Sequence, residues 1–117
     1  MKRESNAGSP LSHASLQILV ALAEEDLHGY AIMKSVFKQS RGRYKLGPGT
    51  LYDNLQKLLQ QGFVEELGPR AGDDDARRQY YRLTPQGKAS LIAEVSRLEE
   101  VIREARLRLH AVKPRRA

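Results

Sequence analysis

Between residues 34 and 45 the chain carries five cations and no carboxylate: Lys34, Lys38, Arg41, Arg43 and Lys45. Directly behind them, Gly47-Pro48-Gly49-Thr50 opens a stretch of helical apolar periodicity that stops at Gly62. The chemistry such residues can do is anion binding. A helix N-terminus holds unpaired backbone N–H groups at the positive end of the helix dipole, and glycines there let a phosphate approach the backbone closely. Taken singly, each signal has a plainer reading: a basic run also describes a solvated face, and Gly-Pro-Gly a tight turn. Side by side they point to a polyanionic partner.

Catalysis fits poorly. His13, His28 and His110 are isolated in sequence, and none stands at a catalytic or metal-ligand spacing. His28, beside Gly29-Tyr30 at an expected helix start, reads as a cap or a packed ring. The chain has no cysteine, so disulfides and thiolate metal sites do not arise. No catalytic residue, metal or cofactor is expected, and the chain does not read as an enzyme.

With 117 residues, 40% of them hydrophobic and 29% charged, the chain is long enough for one modest domain, and its net charge is +6. No apolar run approaches the ~20 residues of a membrane span. The opening MKRESNAGSP has no apolar segment behind its two basic residues and does not read as a signal peptide. Residues 1–10 are expected to form a flexible arm and 112–117 a basic tail, with the cytoplasm as location and no membrane partner.

The elements that would position the cations follow from periodicity. A first helix is expected from about 11 to 23, capped by Ser12, with Leu16, Leu19, Val20 and Ala23 on one face. A second is expected from 28 to 40, burying Ile32, Met33, Val36 and Phe37. The third, residues 48–61, has Pro48 at its first position, Gly47 as N-cap and Gly62 as its stop. Its leucines, Leu51, Leu55, Leu58 and Leu59, form the buried stripe; Thr50, Asp53, Asn54, Lys57 and Gln61 are assigned to the opposite, polar side. Residues 63–67 and 79–84 read as two strands around the loop GPRAGDDDARR, a hairpin.

Thr84-Pro85 then opens a helix expected to run from 85 to 111. Leu91, Val95, Leu98, Ile102, Ala105 and Leu109 recur at steps of four and three, the signature of a seam that meets another helix. At 1.5 Å per residue the helix is roughly 40 Å long, more than the body before it can cover. Homodimerisation through this seam is expected. Three helices followed by a hairpin make a winged helix-turn-helix, residues 11–84, mainly α with a small β-hairpin, joined to a C-terminal dimerisation helix, 85–111.

The segments LHGYAIMKSV (27–36), LGPGTLYDNLQKLLQQGFVEEL (46–67) and RRQYYRLTPQGKASL (77–91) resemble the PadR family of bacterial transcriptional regulators. The likeness spans about residues 11–110, and the single C-terminal helix resembles the family's short-tailed branch. It implies a homodimeric winged-helix repressor acting in the bacterial cytoplasm, on the nucleoid when bound. An effector, where one exists, would sit between the N-terminal and C-terminal helices. The acidic wing and the absence of tryptophan depart from some members.

Double-stranded DNA is thus the expected partner. Gly49, Thr50, Asn54 and Lys57 are placed to reach it from the third helix, Asn by pairing with adenine and Lys with guanine or phosphate. Lys34, Arg41, Arg43 and Lys45 are expected phosphate anchors. Tyr52 is a backbone contact through its hydroxyl by resemblance, or else a core ring. Arg77 and Arg78 are groove or phosphate contacts, or else partners of Asp73–Asp75. Two such heads would enter successive major grooves about 34 Å apart on a roughly palindromic operator. The competing reading is a winged-helix protein- or RNA-interaction module without sequence-specific DNA binding.

Overall fold

A computed structural model describes residues 11–72 and 77–111. The terminal arm, the acidic triplet Asp73–Asp75 and the basic tail lie outside the described residues. The element order is α1 (His13–Ala21), β1 (Leu27–His28), α2 (Gly29–Gln39), α3 (Pro48–Gln60), β2 (Val64–Gly68), β3 (Tyr80–Leu83) and α4 (Pro85–Ala111).

Each helix starts where the sequence supplies an acceptor or a proline. Ser12 Oγ accepts from Ser15 N at 3.1 Å and begins α1. His28 Nδ1 accepts from Ala31 N at 3.3 Å, so the histidine is the N-cap of α2, its ring edge-on to Tyr80. Gly47 precedes Pro48 at α3 without a side-chain cap. Thr84 Oγ1 accepts from Gly87 N at 2.9 Å and opens α4. At the end of α3, Gly62 takes φ +79°, and Gly62 N and Phe63 N return to Leu59 O and Leu58 O. That pairing closes the last turn and needs the left-handed residue.

The expected hairpin is present, but it is the larger part of a three-stranded antiparallel sheet in the order β1-β3-β2. Leu27 pairs with Tyr81 and His28 with Tyr80. Two residues are too few to show alternation, so β1 left no periodic trace. In β2 the register shifts between Glu66 and Gly68, leaving Leu67 as an extra residue that bends the wing strand.

Ile18, Leu19, Ile32, Val36, Leu51, Leu55 and Leu58 are the fully buried side chains, and they place the core between α1, α2 and α3. Each contributes about 1.5–3 kcal/mol by leaving water. Three positions expected on the buried faces are corrected. Val20, Ala23 and Phe37 are exposed, because α1 turns the Ile18–Leu22 side inward and ends at Ala21, and α2 buries only the Ile32–Val36 side.

α4 is fastened at its start. Thr84 Oγ1 donates to Gly62 O at 2.6 Å, Thr84 N donates to Phe63 O at 3.1 Å, and Gly87 lies so close to that carbonyl that a Cβ would overlap it. Glu94, buried against α1, receives the Arg97 guanidinium at 2.6 Å and the Leu11 backbone N–H. The Arg97 bond, aided by that N–H, holds its carboxyl below the usual glutamate range despite burial. Leu91, expected on the seam to a partner, is instead part of the chain's own core, since the first turns of α4 cover α1.

Two consequences are measurable. Gly87→Ala should cost about 1–3 kcal/mol of stability, read from the urea midpoint, because the obstacle is backbone; an unchanged midpoint would dismiss the close approach. Glu94 is a depressed acid, so its contribution is complete above the usual glutamate range and fades as pH falls through the lowered value. The stability gap between wild type and Glu94→Gln should therefore close on acidification, and a gap constant with pH would refute the assignment.

Candidate nucleic-acid interface

Three leucines set the rotation of α3 about its axis. With Leu51, Leu55 and Leu58 inward, the outward residues are Gly49, Thr50, Tyr52, Asp53, Gln56, Lys57 and Gln60. Asn54 is not among them. It is 9% exposed, its Oδ1 accepts from Ser12 Oγ at 3.1 Å and Ser15 Oγ at 2.9 Å, and its Nδ2 donates to Thr50 O at 2.8 Å. With its amide engaged inside the protein it cannot pair with a base in this arrangement, which corrects the expectation. Asn54 lies about 60° round the helix from Leu51, on the flank just beyond the Leu58 edge of the leucine arc. Periodicity leaves such a flank position open, and the two serines at the start of α1 turn it inward. Gln56 and Gln60 are the outward side chains that the sequence reading passed over, and a face centred opposite the leucines finds both.

Tyr52 resolves between its two readings as a half-exposed ring. Its hydroxyl lies against Gly29, where any Cβ would overlap it, and it adds to the burial that pushes Tyr81 up. The glycine of Leu27-His28-Gly29-Tyr30 thus makes room for a side chain of α3.

Lys34, Lys38, Arg41, Arg43 and Lys45 are all exposed, on α2 and the turn into α3. Among the described residues none of the five makes an ion pair; Lys34 instead lies 5.5 Å from the Tyr30 ring centre. Arg41 holds φ +56° in the turn that ends α2, so its backbone as well as its charge belongs to the connection. Arg77 is exposed and Arg78 partly buried, and both are engaged with other groups. The wing's base is neutralised internally: Asp26 receives Arg70 at 2.9 Å and Arg82 at 3.1 Å, and Arg70 also covers the Tyr80 ring.

Gly47 and Gly49 stand at the entrance of α3. A Cβ at either would meet nothing within 4 Å, and neither has a positive φ. Internal packing gives no reason for glycine at these positions.

Helix α3 presented outward beyond α2 and followed by a β2–β3 wing defines a winged helix-turn-helix. The chain belongs to the PadR-like family of transcriptional regulators, whose model matches residues 18–93. Members of that family are transcriptional regulators that bind DNA, not enzymes. Among curated relatives, the transcriptional regulator Rv3488 of Mycobacterium tuberculosis is 38% identical over 89 residues, spanning 76% of this chain and 78% of the relative. A transcriptional regulator from Clostridium thermocellum superposes with a TM-score of 0.62 at 28% identity, over 85% of this chain and 92% of that one. A PadR family regulator from Clostridium difficile R20291 shares the fold, with a TM-score of 0.73 at 23% identity over 84% and 99% of the chains. No described helix is long and apolar enough to cross a membrane, and the described residues hold no cluster of metal-ligating side chains.

Gly49→Ala separates internal from external constraint. Alanine should stabilise α3 by about 0.5–1 kcal/mol while weakening DNA binding, measured as a urea midpoint beside a binding isotherm. Unimpaired binding would remove the close-approach argument.

Proposed function

We propose that the protein is a homodimeric repressor that places two copies of α3 in successive major grooves of a roughly palindromic operator. Residues 11–84 form its DNA-binding unit and 85–111 its dimerisation helix. The observation that carries the reading is one molecule with two uncovered surfaces. At one end lie the unpaired cations and the bare entrance of α3. Along α4 runs an apolar ladder: Val95, Ile102 (48% exposed), Ala105 and Leu109 (71% exposed) are open and Leu98 half-covered, with Val101 flanking it. Such a ladder on a helix reaching beyond its own body supports a partner helix of a second copy.

In this reading Lys34, Arg41, Arg43 and Lys45 set affinity through phosphates, with Arg77 and Arg78 beside the wing. Gly49 and Thr50 bring the α3 backbone to the strand, Lys57 reads a base or phosphate, and Tyr52 reaches the backbone through its hydroxyl. Asn54 acts by holding α3 in place. Bound at a promoter, the dimer would exclude polymerase from the cytoplasmic chromosome. A small-molecule effector would act between α1 and α4, changing the spacing of the two heads.

Ile102→Glu should convert a dimer to a monomer in sedimentation equilibrium and abolish cooperative operator binding. A dimer that persists would move the interface elsewhere. Binding to the DNA upstream of its own gene should be selective over a random duplex and fall steeply with salt, with Lys57→Gln lowering the slope by about one. Equal, weak binding to both duplexes would sink the regulator reading in favour of an interaction module.

A further inference from the structure

Met33 and Phe37, expected in the core, line an open groove of about 870 Å³ between α2 and the residues that lead into α3. Its floor is apolar: Tyr30, Met33, Phe37 and Leu46. Tyr30 is 61% exposed and Phe37 48%, unusual for two aromatic rings that face the same space. Phe37 is not loose. Its ring rests 3.4 Å from where a Cβ of Gly42 would be, in the turn that ends α2, so the turn holds it at the groove.

Lys34, Lys38 and Lys45 also line this groove, with Glu25 as the single acid. Tyr30, Met33 and Phe37 stand at helical spacing, while Lys34 and Lys38 follow one edge. The apolar strip extends over two turns of α2, roughly 10 Å. A binding pocket of this size takes a small organic molecule by apolar contact and is oriented by a few charged groups. Three lysines against one carboxylate leave the groove net positive, and the surface beneath the ligand's body is apolar.

We propose that this groove binds an amphiphilic organic anion, with the apolar body along Tyr30, Met33 and Phe37 and the anionic head at Lys34, Lys38 and Lys45. The site is distinct from the space between α1 and α4. It shares Lys34 and Lys45 with the surface assigned to DNA phosphates, so, resting on that assignment, occupancy and DNA binding exclude one another.

The chain offers its own reporter. Among the described residues Met33 is the only methionine, so methyl-labelled methionine places a probe inside the groove. Dodecanoate, titrated into the DNA-free full-length protein below its micellar concentration, should shift the Met33 methyl saturably. Dodecanol of the same chain length should bind several-fold more weakly, since only the head differs. Phe37→Ala and Lys38→Gln should each weaken the anion, the former by roughly tenfold, with unchanged far-ultraviolet circular dichroism. Dodecanoate should displace a labelled operator duplex from the wild type and require correspondingly more ligand with Phe37→Ala.

A Met33 signal that does not respond, that shifts without saturating, or that responds equally in Phe37→Ala overturns the site. So does a groove that answers to the duplex but not to dodecanoate, which would make it part of the DNA surface. Because the titration is read without DNA, failure of the DNA reading would leave its outcome intact and would show separately, as absent duplex binding.

Discussion

The Asn54 side chain fixes the geometry on which the rest depends. Its amide is buried, where an unpaired polar group costs about 1–3 kcal/mol, so it must keep its partners. Those partners are the hydroxyls of Ser12 and Ser15 at the start of α1 and the carbonyl of Thr50 one turn back in α3. Ser12 is at the same time the cap of α1. One amide therefore ties the beginning of α1 to the rotation of α3 about its own axis. Leucine packing alone would tolerate some rolling of α3; a hydrogen-bonded amide between two serines does not. The outward row from Gly49 to Gln60 is a consequence.

From α3 the constraint passes to α4 over very few residues. Gly62 closes α3 and offers its carbonyl to Thr84; the Phe63 carbonyl receives Thr84 N and lies against Gly87. Thr84 in turn caps α4. The end of the outward helix, the first residue before β2 and the beginning of the long helix thus share backbone groups, with no slack segment between them. The Glu94 contact to the Leu11 backbone secures the next turns of α4 to the entry of α1, with Arg97 holding the carboxylate from within α4. A change in the direction of α4 must be carried into the head as a whole, since the intervening contacts are close-packed rather than compliant.

Most of the fold was legible because its punctuation is chemical. Ser12, Pro48, Gly62 and Thr84-Pro85 each mark a helix end by a defined hydrogen-bonding need, and α3 and α4 stop or start within a residue of the expected places. What escaped notice lies below the reach of periodicity or against residue type. β1 is two residues long and exists only through its pairing with β3. Asn54 is polar and inward, Phe37 apolar and outward, and each inverts the usual preference for a reason supplied by distant residues: two serines of α1 for one, the Gly42 turn for the other. The Gly29 and Gly87 positions show the same limit. Both stood in recognisable motifs, but the side chain of Tyr52 and the carbonyl of Phe63 that exclude a Cβ there come from other elements.

The distribution of charge argues that the anion-binding role is concentrated rather than diffuse. On the wing side, Arg70 and Arg82 are drawn onto Asp26, and Arg77 and Arg78 are already engaged. Along α4, Arg97, Arg103 and Arg108 each pair with a glutamate three or four residues earlier in the helix. Among the described residues, the cations between 34 and 45 have no such acid beside them. Exposed pairs contribute little to stability, but they do remove long-range field. Pairing elsewhere leaves the uncompensated positive potential over α2 and the entrance of α3, the region where unpaired helix N–H groups and bare glycines admit an anion most closely. Cations spread evenly would attract a polyanion in any orientation; five unpaired ones gathered on this face favour one orientation of an approaching anion.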